Sequence, residues 1–469
     1  MTKKTRFFAI IAALAAIGFS LAGCDNPTGN NNETPTVWTP PSAGLWNTAT
    51  QQRVSGFETI TSGNFSAAVT HANNNAGRFI LAIDQTHVET PGNHNLTAPN
   101  TDLTIVGIGG PREIRFINNT ADDQMLFSVG TANGTDATIR LTLGNNITLV
   151  GRTEGRHGQA NNTQPLVRAR NGGRLYMLDG SEITGHTNTG HWGTVLVHDG
   201  GVFTMSGGTI RGNASTQTAT TETGGVIMTH ADSRFYMSGG SIRENTRGAG
   251  VPSDVLALNT INHFTLSGNA AIYHLTLESG ITNSFITVGT GWSGSVGHLD
   301  LRSTATPHLW LGRTVLQAAG GLTAANVEAR LNWSDTARIF SGTAVTQVSQ
   351  IYEIVIEGGG ARGVLRPCII GTWTEPGGRY FTFNANGTFT GHLEEPVSGS
   401  WVRSEGSAFA LTWDDSGSWQ LPSVSIFLSN TFEYYMSSTF TRQQLVSAGA
   451  RVDAQVTVDA QVTGTEFAL

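Results

Sequence analysis

Across residues 138–275 the apolar positions do not recur every three or four residues, as one face of a helix requires. They fall in short alternating clusters separated by turn residues. One cluster appears as Leu175–Ile183 (LYMLDGSEI), Val202–Ile210 (VFTMSGGTI) and Arg234–Ile242 (RFYMSGGSI), with weaker copies at Arg140–Ile147 and His263–Ala271. Each copy from Leu175 on follows a second apolar segment: Pro165–Ala169, Thr194–Val197, Gly225–Met228 and Asp254–Leu258. The repeat therefore reads strand, turn, strand, Gly-rich turn, strand, loop. Stacked about 4.8 Å apart, such units pair each strand with its equivalents above and below. Leu178, Met205, Met237 and Leu266 then form one inward column, and Ile183, Ile210 and Ile242 another, with the intervening Thr, Ser and Arg outside. The pairs Gly207-Gly208 and Gly239-Gly240 permit corners that a Cβ resists.

The run Val202–Asn213 (VFTMSGGTIRGN) resembles the repeats of bacterial surface proteins with a pectate-lyase-like fold, and the likeness extends over about 60–340. It implies an all-β chain built as a right-handed parallel β-helix with three short strands per coil, here spanning 46–365. A short amphipathic helix after Ser62 and Asn64, either of which can cap it, would cover the first open edge. The repeats fade after about 300. In 366–442 aromatics rise, Gly371-Thr372-Trp373 opens a set of strands, and Asn386-Gly387 marks a hairpin. This segment resembles the small lipocalin-like modules of bacterial lipoproteins, which implies a small antiparallel β-barrel or sandwich. The tail 443–469 repeats Val-Asp-Ala-Gln-Val-Thr at 452–457 and 458–463.

Residues 1–23 have the form of an export signal: Lys3, Lys4 and Arg6, then an apolar run from Phe7 to Leu21 too short to span a bilayer. Leu21-Ala22-Gly23-Cys24 resembles a lipobox. The resemblance implies cleavage before Cys24 and acylation of its thiol, making the lipid bilayer the first expected partner. Residues 24–45, polar and Pro-rich, then read as a tether. The outer membrane or cell surface is the favoured address, with the inner membrane open because Asp25 follows the cysteine. With Cys24 lipidated, the second of the two cysteines, Cys368, has no disulfide partner and reads as a buried, inert thiol. A net charge of −7 and the lack of a basic stripe exclude a nucleic-acid protein.

The chemistry-bearing residues leave a contest. Aligned on their Phe-x-Met strands, the repeats put His198 and His230 at one position, with Asn171 and Asn259 on the neighbouring coils. The set reads either as a two-histidine metal site or as a turn ladder. Without a carboxylate or thiol in register the ladder is preferred, and no metal or other cofactor is expected. His186, Asn213 and Asn245 suggest a second ladder, and His191-Trp192 sits in a loop. Arg211 and Arg243 coincide on adjacent coils; with Arg168, Arg170, Arg174 and Arg247 they suit an acidic glycan or simply a solvated face. Trp292, Trp310 and Trp333 offer sugar-stacking surfaces or fill the end of the core. Asp179 and Glu182 align with Ser206 and Thr209, and Asp199 aligns with Ala231, so no registered acid pair appears. Pectate-lyase and polygalacturonase motifs are absent too. The expected function is therefore a non-enzymatic binding or adhesion platform for a host, matrix or envelope ligand such as a glycan. The alternatives are a polysaccharide lyase or hydrolase with a loop-built site, and a purely structural or antigenic coat protein.

Overall fold

The structure is a computed structural model that describes residues 38–117, 124–131, 138–152, 162–219, 221–258, 263–279, 284–303, 313–319 and 321–331. Beyond these it describes strand segments and short turns between 338 and 460. The expected signal segment, residues 24–37 of the tether with Cys24 among them, Asn259 and Cys368 lie outside the described residues. The chain divides into two units, Met1–Thr39 and Pro40–Leu469, and the architecture below belongs to the second. Among the described residues no helix is long and apolar enough to cross a membrane.

The chain is all-β, dominated by long parallel sheets whose arrangement is compatible with a β-helix. One sheet runs Gly77–Ile83, Thr101–Gly107, Ile139–Leu143, Gly173–Met177, Val202–Met205, Arg234–Met237, Phe264–Leu266, Ile286–Val288 and Thr314–Ala318, each pairing the next in parallel. At its ends the pairing turns antiparallel, through Gly44–Asn47 on one side and Arg362–Pro367 on the other. Gly44 and Leu45 are buried in the first of these strands, so the folded body begins before residue 46. Helix Phe65–Asn74 packs Phe65, Ala68, Val69 and Ala72 against the core. Asn64 precedes it without a side-chain cap; its Oδ1 accepts instead from the Thr61 backbone N–H at 2.8 Å, and Ser62 Oγ accepts from the Glu89 N–H.

Registration produces the columns. Phe79, Leu103, Leu141, Leu175, Phe203, Phe235, Phe264, Ile286 and Leu316 are level with one another and buried. Phe235 and Phe264 stack face to face with centroids 4.5 Å apart. The expected column of Ile183, Ile210 and Ile242 forms and continues into Ile272 and Val296. The other needs a correction: Met177, not Leu178, is level with Met205, Met237 and Leu266. The cause is a corner one residue longer, since Met177 pairs Met205 while Glu182 pairs Thr209. The following corner is tight because it is glycine. Gly208 has φ +81, and a Cβ on Gly207 would collide with the Asp179 carboxylate.

A second sheet carries the other two strands of each repeat. Ser181–Thr184, Thr209–Arg211 and Ser241–Arg243 form one parallel run, and Val167–Ala169, Val195–Val197, Val226–Met228 and Val255–Ala257 another. The two runs meet in Ala271–Ser279, whose first residues pair Ser241–Arg243 and whose later ones pair Val255–Ala257. Farther on, strands Gly371–Thr374, Tyr380–Phe383, Thr388–His392, Pro396–Arg403, Ala408–Trp413, Val424–Tyr434 and Ser438–Arg442 pair antiparallel in sequence. The last pairs back with the first, so the ring of pairings closes.

The ladder expected at His186, Asn213 and Asn245 is present and longer than the repeats suggest. Arg152 donates to Asn162 Oδ1, and Asn162 Nδ2 lies 3.2 Å from the His186 ring nitrogens. The His186 N–H donates to Asn213 Oδ1 at 3.1 Å, and Asn213 Nδ2 donates to Asn245 Oδ1 at 2.9 Å. Asn245 closes the chain through its N–H and Nδ2, both donating to Asp254 Oδ1 at 2.9 and 2.8 Å. All six residues are buried. Burial holds His186 down at about 4, hence neutral at pH 7, and pushes the Asp254 carboxyl up to about 6 against the Asn245 bonds and the nearby His274. Asp254 Oδ2 has no hydrogen-bond partner among the described residues. The folded state thus binds this proton more tightly than the unfolded chain. Its contribution is fully present below the unfolded carboxylate value and is lost as pH rises through about 6. Asp254→Asn keeps the accepting oxygen and removes the charge. We expect urea denaturation to show a gain on the order of 1–3 kcal/mol at pH 8 and a flatter profile between about pH 4 and 6. An unchanged profile contradicts this assignment.

Candidate functional site

The turn that links the Val195–Val197 strand to the Val202–Met205 strand carries the most concentrated chemistry on the parallel body. Three successive turns are closed by equivalent bonds: the Gly173 N–H to the Arg170 carbonyl, Gly201 to His198, and Ser233 to His230. His198 and His230 therefore open equivalent turns, as the repeats suggest. The preceding coil places Arg170 there, so Asn171 falls level with Asp199 and is not part of the histidine column. Asp199 and Gly200, at φ 45 and φ 72, both adopt the left-handed conformation of an Asp-Gly turn. That backbone fixes where the Asp199 side chain starts.

Asp199 lies between the two histidines. Its Oδ2 is 2.9 Å from His198 Nε2, and its Oδ1 is 3.3 Å from His230 Nε2. The rings cross at 83° with centroids 4.8 Å apart. His198 Nδ1 is 2.7 Å from Thr229 Oγ1, and His230 Nδ1 is 3.7 Å from Asp232 Oδ1. The carboxylate that the repeat alignment left unregistered is thus supplied from the adjacent turn position. One ligand atom from each of His198, Asp199 and His230 lies within 4.8 Å of the others, so this set could hold a metal ion. Burial lowers the His198 proton affinity, His230 and Arg168 add to that, and Asp199 and Asp232 oppose it. Arg168 directs its Nη2 toward Ser128 Oγ at 3.2 Å.

Beside the cluster stands the loop that carries His191 and Trp192. The Trp192 ring lies 6.4 Å from the His198 ring and is 37% exposed. His191 Nδ1 contacts Glu222 Oε1 at 2.7 Å. Glu222 is buried to 3% exposure, which raises its proton affinity against the His191 bond; its Oε2 has no hydrogen-bond partner among the described residues.

The other expected positions are distributed differently. Arg211 and Arg243 are level, but Arg211 bonds Glu182 at 2.9 Å and Arg243 pairs with Glu244, so the row is charge-balanced. Trp292 is no stacking platform: it is 6% exposed, its Nε1–H donates to the Ala270 carbonyl at 3.3 Å, and it belongs to the core. Trp310, Trp333 and Asn259 lie outside the described residues.

No family model, curated protein or solved structure matches this chain. In an NMR titration we expect His198 to lose its proton below the usual histidine value. Asp199→Asn, whose side chain tolerates the same backbone, should move that midpoint lower still by removing the opposing anion. A midpoint that stays put or rises in the variant contradicts the pairing described.

Proposed function

We propose that this chain is an exported lipoprotein, acylated at Cys24, whose parallel stacks close into a right-handed β-helix serving as a rigid binding platform for a surface glycan. The observation that carries the reading is the exposed Trp192 beside His198, whose cluster also holds Asp199 and Asp232. An aromatic face next to convergent polar groups suits the apolar face and hydroxyl edge of a sugar ring. Rows of hydrogen-bonded, registered strands hold these groups on a framework that need not reorganise on binding, which lowers the cost of ordering. The export and lipid part rests on the sequence Leu21–Cys24 and its basic, apolar approach. The closing ring of antiparallel strands in 371–442 suits the small lipocalin-like module expected there.

One observation favours a second reading, a polysaccharide lyase or hydrolase. Glu222 is a buried carboxyl of raised proton affinity in contact with an imidazole, the signature of a general acid or base.

Two measurements test these readings. Radiolabelled palmitate should enter the chain in a bacterial host and be absent from the Cys24→Ser variant; equal labelling refutes acylation at this residue. The Cys24→Ser chain, free of lipid, should bind members of a glycan array without releasing reducing ends or unsaturated products. Trp192→Ala should weaken that binding about tenfold, a loss of roughly 1.4 kcal/mol of stacking. Product release that depends on Glu222 replaces the platform reading with the enzymatic one.

A further inference from the structure

We propose that His198, Asp199 and His230 form a binding site for a divalent transition-metal ion of the zinc class, oriented by Thr229 and Asp232. The argument rests on these two stacked turns and does not depend on the glycan reading. Two imidazoles with one carboxylate is a donor set that suits zinc, copper, nickel or cobalt; calcium and magnesium take oxygen donors. The spacing fits as well. Donors about 2.0–2.2 Å from a tetrahedral ion stand roughly 3.2–3.6 Å from one another. The two Asp199 contacts, 2.9 Å from Oδ2 to His198 Nε2 and 3.3 Å from Oδ1 to His230 Nε2, lie close to that edge length, and one ligand atom from each residue lies within 4.8 Å of the others. Three donors already converge, so an ion needs only small side-chain rotations to replace the contacts they make with each other.

The surroundings prepare both histidines for the role. A ligating imidazole presents the lone pair of one nitrogen while the other carries the proton and donates it to a fixed acceptor. Thr229 Oγ1, 2.7 Å from His198 Nδ1, is such an acceptor and leaves Nε2 facing Asp199. Asp232 Oδ1, 3.7 Å from His230 Nδ1, stands as a carboxylate behind the second ring. Asp199 springs from a left-handed turn position, and its carboxylate lies between the two rings. Three protein donors leave a coordination position for water or for an oxygen of a bound ligand.

The test uses the untagged full chain, stripped of metal with a chelator. Zinc titrated by calorimetry should saturate at one ion per chain, and cobalt should give the visible absorption of a tetrahedral site. His198→Ala and His230→Gln should each abolish both signals. Asp232→Asn should weaken zinc by about tenfold while keeping the stoichiometry, as expected for a positioning residue behind a ligand. His87→Ala, an exposed histidine elsewhere, should change nothing. Because His198→Ala could unfold the turn, circular dichroism accompanies each variant, and the Asp232→Asn and His230→Gln chains carry the test if it does. Zinc should also raise the melting temperature of the parent chain and not that of the His230→Gln chain. No saturable zinc binding by the parent chain overturns the proposal. So does zinc binding of the same affinity in a folded His198→Ala, His230→Gln double variant.

Discussion

Everything in the parallel body depends on one constraint: a backbone strand too short to be stable alone must pair with its equivalents one repeat away. Strands of three to five residues such as Val195–Val197 and Gly173–Met177 have little hydrogen bonding of their own. They persist because each is held on both sides by a strand of the same register. That demand turns sequence repetition into geometry. A residue that is apolar and inward in one repeat must be so in the next, so the phenylalanine, methionine and isoleucine columns follow from pairing and not from separate packing decisions. It also explains the antiparallel strands Gly44–Asn47 and Arg362–Pro367, which cover the ends of the parallel run where a parallel equivalent is missing and are themselves paired with Gln52–Arg53 and Tyr352–Glu357.

The same constraint makes corners expensive for polar groups. A turn between stacked strands is covered by the turns above and below it, so its backbone donors and acceptors leave water. The ladder from Arg152 to Asp254 answers this: Asn213 and Asn245 each accept from the backbone N–H of the ladder residue before them and pass their own amide hydrogens to carbonyls around them. Such a chain has an end, and at the end the bonding runs short. Asp254 accepts twice on one oxygen and is left with the other unpartnered among the described residues; burial makes its carboxyl retain a proton readily in spite of the Asn245 bonds.

Much of this is legible in the residues, and the losses have specific causes. The Ile183, Ile210, Ile242 column and the His186, Asn213, Asn245 ladder can be read directly because the intervening segments keep step. Leu178 misleads because the corner after Met177 has one residue more than the corner after Met205, and a linear alignment cannot say on which side of a corner the extra residue sits. That single shift also moves Asn171 from the level of His198 to that of Asp199. Trp292 is read correctly only once its indole N–H is seen bonding Ala270 inside the core. Asp199 escapes the alignment because contacts across a turn join neighbouring positions, whereas alignment compares only equivalent ones.

A further one-residue irregularity builds the histidine cluster. The strands before the turn pair Val197 with Met228, an offset of 31, while those after it pair Val202 with Arg234, an offset of 32. The later coil therefore holds one residue more between its strands, and Thr229 is that residue: it is level with His198 by the incoming register, while His230 is level with it by the outgoing one. In a strictly regular stack His198 would meet one neighbour. Here it meets two, the Thr229 hydroxyl on one ring nitrogen and, through Asp199, the His230 ring on the other side. The preceding pair of coils keeps a constant offset of 28 through the equivalent turn, and there the turn opens on Arg170 with no such cluster. A repeat that adds structure by copying itself acquires distinct chemistry here, where the copying slips by one residue and side chains from different turn positions converge.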